Sequence, residues 1–258
     1  MLQKIVVLNP KGGSGKTTIA TNLASCFAAQ GLRPALMDMD AQGSSSRWLS
    51  KRPRELAPIH GIAGYERNLR VTRSFAMRVP ADCDRLIVDT PAAFAPQDLP
   101  DITRSASAII VPVLPSDIDI HAATRCIGDL LLIAKVKREQ RRLAVVANRV
   151  KKHTRIYRSL MRFLESLDIP VVTALRDSQN YVRASEDGTG LFEMKPRLVR
   201  EDTDQWQPLV GWIAQRPAIG AEMPTVQSVT STAVGPEQTL MTALRPAFTA
   251  GTGQVAAI

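Results

Sequence analysis

The segment 9–18, Asn-Pro-Lys-Gly-Gly-Ser-Gly-Lys-Thr-Thr, constrains the fold of this 258-residue chain more than any other. It follows the apolar run 5–8 and precedes a helical pattern, so it is predicted to form a turn from a strand to a helix. Glycines let such a turn approach a phosphate chain, and the following helix adds the positive end of its dipole. Lys16 then reaches the β- and γ-phosphates, and the Thr17 hydroxyl is a ligand of Mg²⁺. We expect a nucleotide-binding P-loop whose other contacts come from Gly12, Gly13, Ser14, Gly15 and Thr18.

One position departs from the usual P-loop pattern, since Pro10 stands where the first glycine is expected. Lys11, five residues before Lys16, places a second ammonium in the loop. The sequence Lys-Gly-Gly-x-Gly-Lys-Thr-Thr resembles the deviant Walker A box of the ParA/MinD family of ATPases. The resemblance implies that Lys11 crosses a dimer interface to the partner subunit's nucleotide. The alternative reading is a glycine-rich turn with surface lysines.

Short apolar runs alternate with helical patterns almost to residue 216. The predicted strands are 5–9, 35–38, 86–89, 108–113, 144–148 and 170–174. The predicted helices are 17–30, 120–136, 155–167 and a segment near 204–214. This alternation predicts an α/β fold with a doubly wound, mostly parallel sheet and helices on both faces. Ligands are then expected at the carboxyl ends of the strands.

The composition suggests one ATPase domain over residues 1–216 and a flexible low-complexity tail over 217–258, which is rich in Ala, Thr, Gly, Pro and Ser. The three cysteines are scattered and form no C-x-x-C pair, which favours buried thiols over disulfides or zinc. The first strand begins too early to leave room for a signal peptide, and no apolar run is long enough to span a membrane. We therefore expect a cytoplasmic protein.

Aspartates follow two of the predicted strands. Asp38 and Asp40 follow the second one, where the ParA family has a D-x-D-P-Q box, and Asp89 closes the third one as a Walker B aspartate does. The resemblance implies that Asp38 supports the Mg²⁺ shell, Asp40 orients the attacking water and Asp89 holds Mg²⁺. Ala41 and Ala92 stand where the family has proline, which puts the turn geometry in doubt. Without the P-loop, these aspartates could be caps at the ends of strands.

Asn148 ends another predicted strand and matches the asparagine that contacts adenine in relatives. A strand-end asparagine is also a common turn residue, so both readings stay open. The segment 170–178 is expected to complete the base pocket.

The net charge of +9 is unevenly distributed. Residues 135–162 carry eleven basic side chains and one acidic one. Helical spacing places arginines on one face of the predicted helix after residue 154, opposite Ile156, Leu160, Phe163 and Leu167. Such a face suits a phosphate backbone, and the alternative is a solvated helix face. The candidate DNA-binding residues are Lys151, Lys152, Arg155, Arg158, Arg162 and Arg183.

The likeness to short ParA proteins without a helix-turn-helix domain spans residues 3–215. It implies an ATP hydrolase that uses ATP and Mg²⁺, forms a homodimer when ATP-bound and binds the double-stranded DNA of the nucleoid nonspecifically. A ParB-like or McdB-like adaptor would stimulate slow hydrolysis, and the cargo would be a plasmid, a chromosome or a protein body such as a carboxysome. A MinD-like membrane-cycling regulator and a P-loop metabolic enzyme are the alternatives. The first needs a basic amphipathic C-terminal helix and the second a substrate or cluster site, and the sequence provides neither.

Overall fold

The structure, a computed structural model, describes residues 1–65, 77–166 and 168–219. Within them lie seven strands: β1 (Gln3–Val7), β2 (Pro34–Asp38), β3 (His60–Ala63), β4 (Arg85–Asp89), β5 (Ala108–Val113), β6 (Leu143–Val150) and β7 (Val171–Arg176). The same residues form the helices α1 (Lys16–Ala29), α2 (Ser44–Ser50), α3 (Leu99–Thr103), α4 (Asp117–Leu132), α5 (Arg155–Glu165), α6 (Gln179–Glu186) and α7 (Pro196–Ala214). None of these helices is both long and apolar enough to span a membrane.

All seven strands are parallel and form one sheet in the order β3-β2-β4-β1-β5-β6-β7. The predicted doubly wound α/β fold is therefore confirmed. Because β1 lies between β4 and β5, the chain leaves β1 toward one side of the sheet first and toward the other side later. The loop after β1 lies at this change of direction, where ligands of open α/β sheets bind.

Each face of the sheet has its own hydrophobic core, since side chains alternate between the faces of a strand. On one face, Ile5 and Val7 of β1 pack in a cluster with residues of α1 and α7, including Trp206. On the other face, Val6 and Leu8 belong to a cluster that includes residues of α3, α4 and α5. With a helix layer on both sides, the strands can be almost entirely apolar. The predicted burial of all three cysteines is confirmed.

Several elements differ from the sequence prediction. Helices α2, α3 and α6 and strand β3 are absent from the elements predicted from the sequence. Helix α4 begins three residues before the predicted start and ends four residues before the predicted end. The predicted tail lies outside the described residues from position 220 onward, and so does Leu167 of the predicted apolar helix face.

Candidate nucleotide-binding site

The loop between β1 and α1 requires glycine at two positions. Gly13 (φ 77°) and Gly15 (φ 94°) have left-handed backbone conformations, which other residues rarely adopt. A Cβ atom on Gly15 would also lie 2.1 Å from the Asn148 Nδ2 atom. Ala or any larger residue at position 15 would therefore strain the backbone and displace Asn148.

Two asparagine side chains form hydrogen bonds with the backbone of the phosphate loop. The Asn9 amide donates to the Pro112 carbonyl (2.7 Å), and its Oδ1 atom accepts from the Lys11 backbone N–H (2.8 Å). Asn148 is buried at the carboxyl-terminal end of β6, and its amide donates to the Ser14 carbonyl (2.9 Å). Asn148 thus contacts the phosphate loop, and an adenine contact by the same residue stays a prediction. No local sequence pattern predicts this role of Asn9.

The two lysines of the loop have different partners. The Lys16 ammonium donates to the Lys11 carbonyl (3.2 Å), and burial lowers its pKa while Asp89 and Asp40 partly oppose that shift. The Lys11 ammonium lies 2.5 Å from the Asp119 carboxylate, which is 3% exposed. Lys11 is therefore held by its own subunit.

Asp119 was not among the predicted site residues. It lies in the first turn of α4, where its backbone N–H donates to the Ser116 hydroxyl (3.2 Å), the N-cap of that helix. The Ser116 hydroxyl in turn bonds to the Asp119 carboxylate. The sequence signal for this arrangement is the pattern Ser-x-x-Asp at 116–119, in which the serine is the N-cap. That pattern predicts a helix start, and it contains no information about Lys11.

The three predicted aspartates lie together at the carboxyl ends of β2 and β4. Asp38 and Asp89 are direct neighbours in the parallel register of these strands. The Asp38 carboxylate accepts from the backbone N–H groups of Asp40 (3.1 Å) and Ser46 (2.9 Å), which fixes the start of α2. Asp40 accepts from the Gln42 backbone N–H (3.0 Å), and it lies near enough to Lys16 to oppose part of the lowering of the pKa of that lysine.

Asp89 has the surroundings expected of a cation ligand. Both of its carboxylate oxygens are buried without a hydrogen-bond partner, and so is the hydroxyl oxygen of Ser45. The hydroxyls of Thr17 and Ser45 lie beside Asp89 without completing a hydrogen bond of normal geometry. Burial raises the pKa of Asp89 to about 6, and the nearby Asp38 carboxylate adds to the shift. A buried carboxylate in this state would gain a favourable partner from a bound cation.

The oxygen donors around Asp89 fit Mg²⁺ better than a metal whose ligands must all come from protein side chains. The described residues contain no group of three or more His, Cys, Asp or Glu side chains placed to hold a metal. Mg²⁺ usually takes one or two carboxylates and fills its other positions with water and phosphate oxygens. Thr17 and Asp89 could serve as ligands, while Asp38 would act at the edge of such a site because both its oxygens accept backbone hydrogen bonds.

The loop after β4 lies beside the phosphate loop. The Thr90 hydroxyl donates to the Val7 carbonyl (2.9 Å), which attaches this loop to β1. A Cβ atom on Gly12 would lie 4.0 Å from the Ala92 Cβ atom. The two loops are thus neighbours at the carboxyl ends of β1 and β4. A polar cleft of about 230 Å³ also begins at Thr17 and Thr18, and α2 and α6 contribute to its walls.

The predicted DNA-binding side chains are all exposed. None of them forms an ion pair with another described residue, unlike Arg149, which pairs with Asp177 (3.3 Å), and Arg176, which pairs with Asp202 (2.5 Å). We call the surface formed by these six residues the carboxyl-edge surface; they are Lys151, Lys152, Arg155, Arg158, Arg162 and Arg183.

The predicted apolar face of α5 needs one correction. Ile156 is 38% exposed, whereas Leu160 and Leu164 are buried against the sheet. Tyr157 and Met161 pack beside them, so the buried stripe follows the i, i+3, i+4, i+7 spacing from residue 157. The arginines still face solvent.

Comparison with known proteins agrees with this geometry. Residues 5–192 match the family model described as the CobQ/CobB/MinD/ParA nucleotide binding domain. The chain is 28% identical to the maintenance of carboxysome distribution protein A of Halothiobacillus neapolitanus over 75% of this chain and 88% of that protein. Its identity to the protein of the same name from Gloeobacter kilaueensis is also 28%, over 76% of this chain and 87% of the relative. A plasmid partition protein from Borrelia burgdorferi B31, solved with bound AMPPNP, shares the fold with a TM-score of 0.61 at 12% identity, covering 82% of this chain and 99% of that one. The chain therefore belongs to the CobQ/CobB/MinD/ParA family of nucleotide-binding domains.

Proposed function

We propose that this protein is an ATPase switch that positions intracellular cargo. In the ATP-bound state it forms a homodimer that binds duplex DNA nonspecifically, and hydrolysis returns it to a free monomer. The observation that carries the proposal is the meeting of Lys16, Asp40 and the unpartnered Asp89 carboxylate at the end of β1. This arrangement supplies the groups that phosphoryl transfer from ATP requires.

Each group has one role in the proposed reaction. The N–H groups of the loop and the Lys16 ammonium hold the phosphates, and Asp40 orients the attacking water. Thr17 and Asp89 would hold Mg²⁺, with Asp38 supporting them, and the ion would neutralise charge on the phosphate oxygens. The described residues provide no arginine finger that can be assigned, so we expect slow hydrolysis until a partner completes the site.

Dimerisation gives Lys11 its proposed role. The Lys11 side chain is 32% exposed, so a second subunit placed against this loop can reach it. In the proposed dimer, Lys11 leaves Asp119 and contacts the nucleotide of the partner subunit. The nucleotide is then enclosed between two copies, which makes the dimer depend on the γ-phosphate.

The carboxyl-edge surface supports the DNA proposal. Its exposed cations without acidic partners can neutralise phosphates, and no base-reading pattern accompanies them, as expected for nonspecific binding. The two carboxysome-distribution relatives favour a protein body as cargo, with an McdB-like adaptor, over a plasmid or chromosome with a ParB-like one. We place the protein in the cytoplasm on the nucleoid.

Dimerisation assays with two variants test the proposal. Asp40→Ala removes the group that orients water, so this variant should keep an ATP-bound dimer that persists for hours in sedimentation velocity runs, while wild type returns to monomer as ATP is consumed. Lys16→Ala should remain monomeric because it loses the main phosphate contact. Normal ATP turnover by Asp40→Ala, or an equal monomer fraction with ATP and ADP for wild type, would refute the proposed switch.

A further inference from the structure

Strand β6 divides the basic segment 135–162 into two separate surfaces. The residues after β6 belong to the carboxyl-edge surface, whereas those before it lie at the amino ends of the strands. The two groups are connected by β6, whose eight residues span about 23 Å. We call the second group the amino-edge patch and define it as Leu132, Ile133, Lys135, Lys137, Arg138 and Arg141.

The amino-edge patch combines exposed apolar and basic side chains. Leu132 is 63% exposed and Ile133 is 40% exposed at the end of α4. The exposed cations Lys135, Lys137 and Arg141 follow within nine residues, and none of them pairs with an acid among the described residues. Between residues 132 and 142 the chain has five basic side chains and only one acidic one, Glu139.

Contacts at both ends attach this segment to the rest of the fold. Val136 is buried in the core, and its N–H donates to the Leu130 carbonyl (2.9 Å), which folds the chain back onto the end of α4. Lys135 (φ 52°) and Arg141 (φ 46°) have left-handed conformations at the two ends of the turn. The Arg216 guanidinium bonds to the Arg141 carbonyl, which ties the far end of the turn to the residues after α7. The residues of the amino-edge patch therefore lie on a turn that is hydrogen-bonded to the rest of the fold at both ends.

We propose that the amino-edge patch binds an acidic, leucine-bearing helical segment of a partner protein. Lys135 near the C-terminus of α4 can be explained by the helix dipole, but the dipole does not account for the further cations or for the exposed Leu132 and Ile133. Duplex DNA would use the cations and leave both apolar side chains without a favourable contact. A segment with leucines on one stripe and glutamates beside it satisfies both kinds of side chain. The binding needs no nucleotide and does not rest on the proposed ATP switch.

A peptide binding assay with the full chain tests this inference. The probe is a fluorescein-labelled peptide of about 18 Glu, Leu and Ala residues, with leucines on one helical stripe and glutamates on the adjacent ones. The patch variant Lys137→Glu/Arg141→Glu should weaken binding of this peptide at least ten-fold, and Leu132→Ser should weaken it several-fold. Lys151→Glu/Arg158→Glu, which reverses two charges on the carboxyl-edge surface, is the matched control and should bind the peptide as wild type does. Equal melting temperatures of the variants would show that they fold.

Duplex DNA and lipid vesicles distinguish the other possible occupants. The patch variant should bind random duplex DNA as wild type does, whereas the control variant should lose that binding. The inference is wrong if wild type fails to bind the peptide, or if both double variants bind it equally. It is also wrong if the patch variant loses DNA binding, or if phosphatidylglycerol vesicles bind through Leu132. If wild type itself does not bind duplex DNA, that result counts against the proposed function and not against the amino-edge patch.

Discussion

At the scale of single residues, the phosphate loop could be predicted and the partner of Lys11 could not. Glycine positions and lysines in the loop are local signals, because the chemistry of phosphate binding requires them within a few residues of one another. Asp119 lies 108 positions from Lys11. Strand β5 pairs in parallel with β1, and this pairing places α4, which follows β5, beside the phosphate loop. No local pattern contains that information.

The ion pair between Lys11 and Asp119 predicts how the proposed dimer is controlled. Asp119→Asn removes the carboxylate that holds Lys11 in its own subunit, so Lys11 should move to a partner subunit at a lower cost. Two such pairs break when one homodimer forms, and a partly exposed ion pair contributes roughly 0.5–1 kcal/mol. We therefore expect the protein concentration that gives half dimer with Mg–ATP to fall about five- to thirty-fold. Sedimentation velocity measures this concentration. Asp117→Asn, in the same helical turn, is the control, and identical behaviour of the two variants would contradict the prediction.

The buried Asp89 carboxylate predicts a pH-dependent stability. Its pKa of about 6 in the folded state exceeds the ordinary value of 3.8, so the folded protein binds this proton more tightly than the unfolded chain. Stability is then lost as the pH rises through about 6. Without nucleotide, Asp89→Asn should raise the free energy of unfolding by about 2–3 kcal/mol at neutral pH, because one pKa unit corresponds to about 1.4 kcal/mol.

Urea denaturation at several pH values measures this difference between Asp89→Asn and wild type. The gain should shrink as the pH falls toward about 4, where the wild-type carboxyl is protonated in the folded state. A gain that does not change with pH would mean that the charge on Asp89 is not its cause.

At the scale of helices and strands, the central elements could be predicted and the peripheral ones could not. Strands β1, β4, β5 and β6 are buried on both faces, so their apolar runs are continuous and easy to find. The four residues of β3 form an edge strand with two exposed positions. Helix α2 is only seven residues long and begins with three serines, and its start is held by the Asp38 carboxylate at the end of β2 rather than by a side chain at its N-cap.

A pair of substitutions tests the observed orientation of α5. Leu160→Ala should lower the free energy of unfolding by about 2–5 kcal/mol, because it leaves a cavity in the core beside the sheet. Ile156→Ala removes a side chain that is 38% exposed and should cost less than about 1 kcal/mol. Equal losses in urea denaturation would favour the face predicted from the sequence, which buried both residues.

At the scale of the whole molecule, the position of the positive charge depends on the topology of the sheet. The sequence contains a single basic segment, yet β6 runs through it and places its first half at the amino ends of the strands and the start of its second half at their carboxyl ends. Only the half at the carboxyl edge lies on the side of the phosphate loop. Because this surface and the phosphate loop lie at the same end of the strands, we propose that a nucleotide-dependent change reaches it, and this is the basis of the proposed link between ATP and DNA.

The most direct test of this link is the binding of the purified protein to random-sequence duplex DNA with Mg–ATP, with Mg–ADP and without nucleotide, over a series of salt concentrations. We predict that the protein binds DNA only when Mg–ATP is present. The logarithm of the association constant for DNA should fall steeply with the logarithm of the salt concentration, because binding releases counterions. Binding that is equal in all three nucleotide states, or absent from all of them, would contradict an ATP-controlled attachment to DNA.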